Sequence, residues 1–174
     1  DGFTPMFDLS PMLELLEWAE GADRFNRTGD SRYLASLLKV KKDEIAKEIK
    51  NIDGDFESIS PLGRLSTTLT NLSESTRLIR PFRAIKEANK IDNLIKKSAP
   101  ILQSRKDTAP FYLLLENIRK GYLPFAGDFS TQIPINNKES LNHQLRLIDW
   151  YIEREHFVQA ITLCREWLVS WVMY

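Results

Sequence analysis

The residues best placed to do chemistry are cations. Between Arg77 and Asp107 stand Arg77, Arg80, Arg83, Lys86, Lys90, Lys96, Lys97, Arg105 and Lys106, against only Glu87, Asp92 and Asp107. At the helical rotation per residue, Arg83, Lys86, Lys90 and Lys97 fall within a sector of roughly 60°, opposite a stripe of Ala84, Ala88, Ile91 and Ile95. A cationic helix face of this kind tracks phosphates, and Phe82 is near enough in sequence to offer a ring for a base to stack on. The plainer alternative is a solvated outer face. Arg80, Arg83, Lys86, Lys90 and Lys97 are taken as the candidate nucleic-acid-binding residues.

Two histidines offer acid/base chemistry. His143 and His156 sit among Asp149, Glu153, Glu155 and Glu166, and histidine beside carboxylate suits proton transfer. They lie thirteen residues apart on one helix and its end, about 20 Å along the axis, so they cannot share a small site and read as surface or turn residues. Glu139 and Arg154, near the two ends of that helix, are explained by its dipole. Cys164 falls on an apolar stripe between Ile161 and Leu168 and reads as a small buried thiol. Trp150, Tyr151, Trp167 and Trp171 group on the last two helices, where core packing is the default and a dimer seam the alternative. Glycine-rich phosphate loops, HExxH, CxxC and GxSxG are absent, so no catalytic residue, metal site or cofactor is assigned to this segment.

The chain that must position these groups has 174 residues, enough for one domain with an ordinary core. Hydrophobic residues at 43% and charged residues at 28% exclude a disordered, collagen-like or membrane-spanning chain. Lys plus Arg equal Asp plus Glu at 24 each, so any charged site is local. Seven glycines lean away from a complete dinucleotide-binding fold. One cysteine excludes an internal disulfide, and with no signal segment the expected compartment is the reducing cytoplasm. The start lacks Met and the apolar run Trp167 to Tyr174 stops with its helical pattern still in force, so the expectation is one helical domain, 1–174, excised from a longer chain.

Helical spacing recurs throughout. Ser10-Pro11 opens a helix carrying Met12, Leu15, Leu16, Ala19, Ala22 and Phe25, which ends near Arg27-Thr-Gly29. Asp30-Ser31 caps a short helix with Tyr33, Leu34, Leu37 and Leu38, and a separate polar helix follows from Asp43 to Ile52. Asn51 to Ser60 is a connection. Further helices run from Pro61 to Ser75, Pro81 to Lys97 and Phe111 to Tyr122. Leu123 to Asn137 reads as an irregular connection with room for one edge strand at Thr131-Gln-Ile-Pro-Ile. Asn137 caps a helix to about Glu153, and a second from Phe157 returns antiparallel to it. The fold class expected is all-α, an irregular multi-helix bundle ending in a long antiparallel hairpin.

Two stretches carry a resemblance. Asp8-Leu-Ser-Pro-Met-Leu-Glu-Leu-Leu-Glu-Trp-Ala with Asp23-Arg-Phe-Asn-Arg-Thr-Gly-Asp30 resembles the segment after the sensor domain in CRISPR-associated proteins of the DxTHG group. Leu147-Ile-Asp-Trp-Tyr-Ile-Glu with Phe157-Val-Gln-Ala-Ile-Thr-Leu-Cys-Arg-Glu-Trp-Leu-Val-Ser170 is similar to that group's helical hairpin, and Asn71 to Pro81 fits its layout more loosely. The resemblance implies a two-part protein: a CARF domain, absent here, that binds the activator cyclic oligoadenylate, and a helical HEPN domain that cuts single-stranded RNA without metal. It implies a homodimer with single-stranded RNA as partner, and neither DNA nor membrane. Such ribonucleases use an Arg-x4-6-His motif, and here neither His143 nor His156 has an arginine at that spacing. The motif is therefore expected beyond Tyr174, with a non-catalytic coupling and dimerisation module as the alternative. A rival from another class is a tetratricopeptide-like scaffold, since Ile148 to Ile161 resembles one such hairpin, but no 34-residue period recurs.

Overall fold

Proline marks where most of the helices begin. In the computed structural model, which describes residues 8–51, 56–126 and 138–173, Pro11, Pro61, Pro81 and Pro110 each stand in the first turn of a helix. There the missing N–H costs nothing and the fixed φ is already helical. Those helices are α1 (Ser10–Thr28), α3 (Ser60–Arg77), α4 (Pro81–Gln103) and α5 (Ala109–Tyr122); α2 (Arg32–Asn51), α6 (Lys138–Glu153) and α7 (Phe157–Val172) complete the set. Short 3-10 turns at Phe56–Ile59 and Leu123–Phe125 lead into α3 and out of α5. No strand occurs among the described residues, and the all-α reading holds. The expected edge strand at 131–135 and the cap at Asn137 lie outside the described residues.

Several boundaries move, each for a physical reason. Ser10 does not cap α1: it is inside the helix, and its N–H donates to Asp8 Oδ1 at 2.9 Å. The two helices expected between Ser31 and Ile52 are one, because Leu34, Leu38 and Ile45 keep a single buried stripe and no Gly or Pro interrupts it. Lys41, at the expected break, instead bonds Glu14 of α1 at 3.0 Å. Helix α4 continues past Lys97, through Pro100, because Ser98 and Leu102 are fully buried and hold the last turns against the core.

The core is built around α3, which packs between α2 and α4. Leu62, Leu65, Leu69 and Leu72 are each fully buried, and the small polar residues Ser66, Ser73 and Thr76 let the neighbouring helices approach. Their hydroxyls are satisfied: Ser66 Oγ donates to the Ala35 carbonyl at 2.8 Å, and Thr76 Oγ1 to that of Leu72 at 3.0 Å. The α6–α7 hairpin docks through aromatics. Trp150 Nε1 donates to the Gly121 carbonyl at 2.7 Å, and Tyr151 Oη to that of Thr76 at 2.6 Å.

Helix α1 buries a different face from the one its sequence suggests. Trp18, Gly21 and Phe25 point inward, while Met12, Leu13, Leu15 and Leu16 are more than half exposed. The outer face of α7 is likewise apolar and open, with Val158, Ile161, Val169 and Val172 all exposed. Cys164 is half-buried, not enclosed, and Trp171 is largely exposed while it stacks on Trp167 at 6.2 Å. Only Trp150 and Tyr151 of the aromatic group are core residues.

Candidate nucleic-acid interface

The polar residues of α3 and α4 repeat at helical spacing and meet. On α3, Ser60, Gly63, Arg64, Thr67 and Asn71 share one side; on α4, Glu87, Lys90, Asn93, Leu94 and Lys97 do. Packing the two helices brings both sides to one groove of about 830 Å³, which Lys42 of α2 also lines. Four cations therefore line it with one carboxylate across a surface of hydroxyls and amides, Lys42 paired to Asp43 at 2.9 Å and Lys90 to Glu87 at 2.6 Å. A groove of this sign and polarity concentrates anions, and its amides offer both donors and acceptors.

The five sequence-predicted cations are all exposed, but the fold separates them. Lys90 and Lys97 line the groove. Arg83 reaches its edge, donating from Nη2 to Asn71 Oδ1 at 2.9 Å. Arg80 and Lys86 stand on the open surface of α4 and its start without lining it. Lys96, left out of the predicted set, is tied to Asp92 at 2.6 Å, and Asp92 also takes Arg119 at 2.8 Å. Those hydrogen bonds from Lys96 and Arg119 hold the Asp92 carboxyl below its ordinary pKa. The cationic sector of α4 is thus continuous with the groove on one flank and neutralised on the other.

Phe82 does not serve this surface. It lines a separate cleft with Leu78, Ile79, Gln144 and Leu163, on the side facing the hairpin, so the expected stacking ring is away from the groove. The groove residues that sequence reasoning missed are Lys42, Arg64, Thr67, Asn71 and Glu87. Their signal was the polar stripe on α3, visible at spacings of three and four but unassigned until α4 was placed against it.

The histidines do not assemble a catalytic centre. His143 is buried on α6, not at the surface as expected, because its ring lies under the turn after α5; burial first, then the charge of Arg146, keep its pKa below the ordinary value. His156 stands at the start of α7 with Nε2 2.8 Å from the Thr28 carbonyl, a joint between the hairpin and α1. It borders a smaller cleft of about 200 Å³ with Arg24, Asp30, Arg32 and Arg77. Burial there pushes the Asp30 carboxyl up, but hydrogen bonds from the Arg32 side chain and backbone, with the charges of Arg32 and Arg24, bring it down to about 2. Asp30 is spent on these pairs and on the start of α2. Arg154, expected to answer the α6 dipole, lies with its guanidinium 4.4 Å over the Trp150 ring. Among the described residues no group of three or more His, Cys, Asp or Glu is placed to hold a metal ion.

An all-helical fold with a cationic groove between α3 and α4, and with no acid/base centre assembled among the described residues, is the class that fold and site define. A family model described as the second domain of CRISPR-associated protein MJ1674 matches residues 14–123, and the chain belongs to that family. The match takes in most of α1 through α5 and so both walls of the groove. CRISPR-associated protein MJ1674 of Methanocaldococcus jannaschii is 21% identical over 170 residues, covering 98% of this chain and 21% of that protein. The chain therefore spans about a fifth of the length of the curated relative it matches. No solved structure matches the chain. No helix among the described residues is long and apolar enough to cross a membrane.

Proposed function

We propose that this chain is a helical module of a type III CRISPR accessory protein, that it holds single-stranded RNA along the α3–α4 groove and adjoining face of α4, and that it does no chemistry itself. The complete protein, in this reading, is a cytoplasmic, metal-independent HEPN-type endoribonuclease of the DxTHG group, switched on when cyclic oligoadenylate occupies a CARF domain. The Arg and His of its cutting centre belong to another part of that protein. The observation that carries the reading is the groove itself: Lys42, Arg64, Lys90 and Lys97 around one carboxylate, with Arg83 at its rim. Family membership supplies the CRISPR setting, and the wall of a groove that takes an extended polyanion needs this spread of cations with neutral amides between them.

The test is a salt titration of RNA binding. Each phosphate contact to a single strand contributes about −0.7 to the slope of log K against log salt, so an Arg83→Ala, Lys86→Ala, Lys97→Ala triple variant is expected to flatten the slope by about 2. An unchanged affinity and slope would show that the face is only solvated.

The open apolar faces of α1 and α7 favour a second, compatible role in coupling and dimerisation. Contiguous exposed apolar surface of this kind marks contact with another protein surface. Light scattering of the chain with Val158→Lys and Ile161→Lys is expected to show a smaller species than the unaltered chain, and equal mass would count against this role.

A further inference from the structure

We infer that the α3–α4 groove reads a guanine base, and that Glu87 is the residue that reads it; the inference deepens the RNA reading above and rests on it. Glu87 is 7% exposed and lines the groove. Its Oε1 accepts from Lys90 Nζ at 2.6 Å, while Oε2 is buried with no hydrogen-bond partner among the described residues. A buried carboxylate oxygen without a donor is costly, and natural cores rarely leave one. At the wall of a groove ringed by cations the arrangement has a use: Oε2 is out of contact with solvent as it stands, and a turn of the carboxylate toward the groove gives it a donor when one arrives with an anion.

The chemistry selects the donor. Turned toward the groove, and with Lys90 released from Oε1, the carboxylate presents two parallel acceptors. Guanine alone among the four bases carries two adjacent donors, N1–H and the N2 amine, on its Watson–Crick edge. Adenine and cytosine pair one amine with a ring-nitrogen acceptor, which would face the second oxygen, and uracil sets its single N–H between two carbonyls. Lys90 is the movable member: its side chain is 46% exposed, so its ammonium can leave Oε1 and follow the incoming phosphate. Arg64, Lys42 and Lys97 line the same groove for the flanking phosphates, and the volume of about 830 Å³ has room for more than one nucleotide. Bases in single-stranded RNA expose this edge for such reading.

The experiment measures binding of the full chain to uridine octamers in which one central residue is G, A, C, U, inosine or 1-methylguanosine, by fluorescence anisotropy at fixed salt. The G octamer is expected to bind about tenfold tighter than the A, C and U octamers, with inosine intermediate and 1-methylguanosine at the level of uridine. Glu87→Gln, which turns one acceptor into a donor, is expected to bring the G octamer down to the others while its thermal melt stays that of a folded chain. The modified bases test the same point without altering the protein, so a variant that fails to fold leaves the answer intact. Equal affinity for all octamers overturns the base reading and leaves the RNA face standing. A titration with GMP separates the two claims: binding of GMP that Glu87→Gln abolishes, with no octamer retained, keeps the base pocket and overturns the RNA reading. Absence of both GMP binding and a G preference overturns the inference.

Discussion

Gly29 is the position where one methyl group should do the most damage, and its cost can be worked from the structure. It follows α1 with φ at 69°, and its N–H donates to the Phe25 carbonyl at 2.7 Å. A Cβ there runs into Trp150 Cζ2 and meets Cη2 at 2.5 Å and Arg154 Cδ at 3.1 Å. The left-handed backbone alone costs an L-residue about 1–2 kcal/mol. The ring cannot step aside: Trp150 is 2% exposed, is hydrogen-bonded to Gly121, and packs edge-on against Phe125 at 5.5 Å. Forcing it adds roughly 1–3 kcal/mol of overpacking, so Gly29→Ala is expected to lose about 2–5 kcal/mol in all. Urea unfolding followed by tryptophan fluorescence measures this, with two controls. Gly29→Asn tolerates the backbone but keeps the clash, so it should recover only about 1 kcal/mol. Gly63→Ala lies inside α3 with its nearest new neighbour, Lys42 Cε, at 4.0 Å, and should gain about 0.5–1 kcal/mol. A Gly29→Ala loss under about 1 kcal/mol would refute the claim that the α1–α2 turn is closed on Trp150.

Two further outcomes follow from buried polar groups. Tyr122 Oη lies 2.9 Å from the Gly29 carbonyl and 2.8 Å from Ser31 Oγ, and burial, against those serine hydrogen bonds, pushes its phenol up to about 12. Tyr122→Phe leaves a buried carbonyl unpaired and should cost about 1–2 kcal/mol in urea unfolding; a neutral result would mean the network is dispensable. His143 titrates below its ordinary value of 6.5 in the folded chain, so the unfolded state binds the proton first as pH falls. Stability is then full above that value and declines as pH drops from it through the lower folded value. Urea midpoints between about pH 7.5 and 5 should show this slope, and His143→Gln should flatten it; an unchanged slope would assign the pH dependence elsewhere.

How much of this was legible in the sequence depends on which interactions set it. Helix starts at Pro11, Pro61 and Pro81 were readable because proline acts locally through its own φ. The continuity of α2 was not, because it depends on Leu38 and Ile45 burying against α3 and on Lys41 finding Glu14. The cationic sector on α4 was visible from helical rotation, yet the groove was not, since half its wall comes from Arg64, Thr67 and Asn71 on another helix. His143 misled because a histidine among charged neighbours reads as a surface group, and only the turn after α5 buries it. Phe82 sits beside the cations in sequence but about a quarter-turn around the helix from them, which is enough to send it to the hairpin side. Gly29 announced the end of α1, but not that Trp150 would close against it.

The central claim, that the α3–α4 groove is where this chain meets RNA, is tested most directly by photo-crosslinking. A 4-thiouridine-labelled single strand is irradiated with the full chain, and the adducted peptides are mapped by mass spectrometry. The account predicts adducts within residues 60–97, centred on Arg64, Lys90 and Lys97, lost on competition with unlabelled RNA, and with the strand itself left uncut. Adducts confined to α1 or α7, or specific cleavage of the strand by this chain alone, would contradict it.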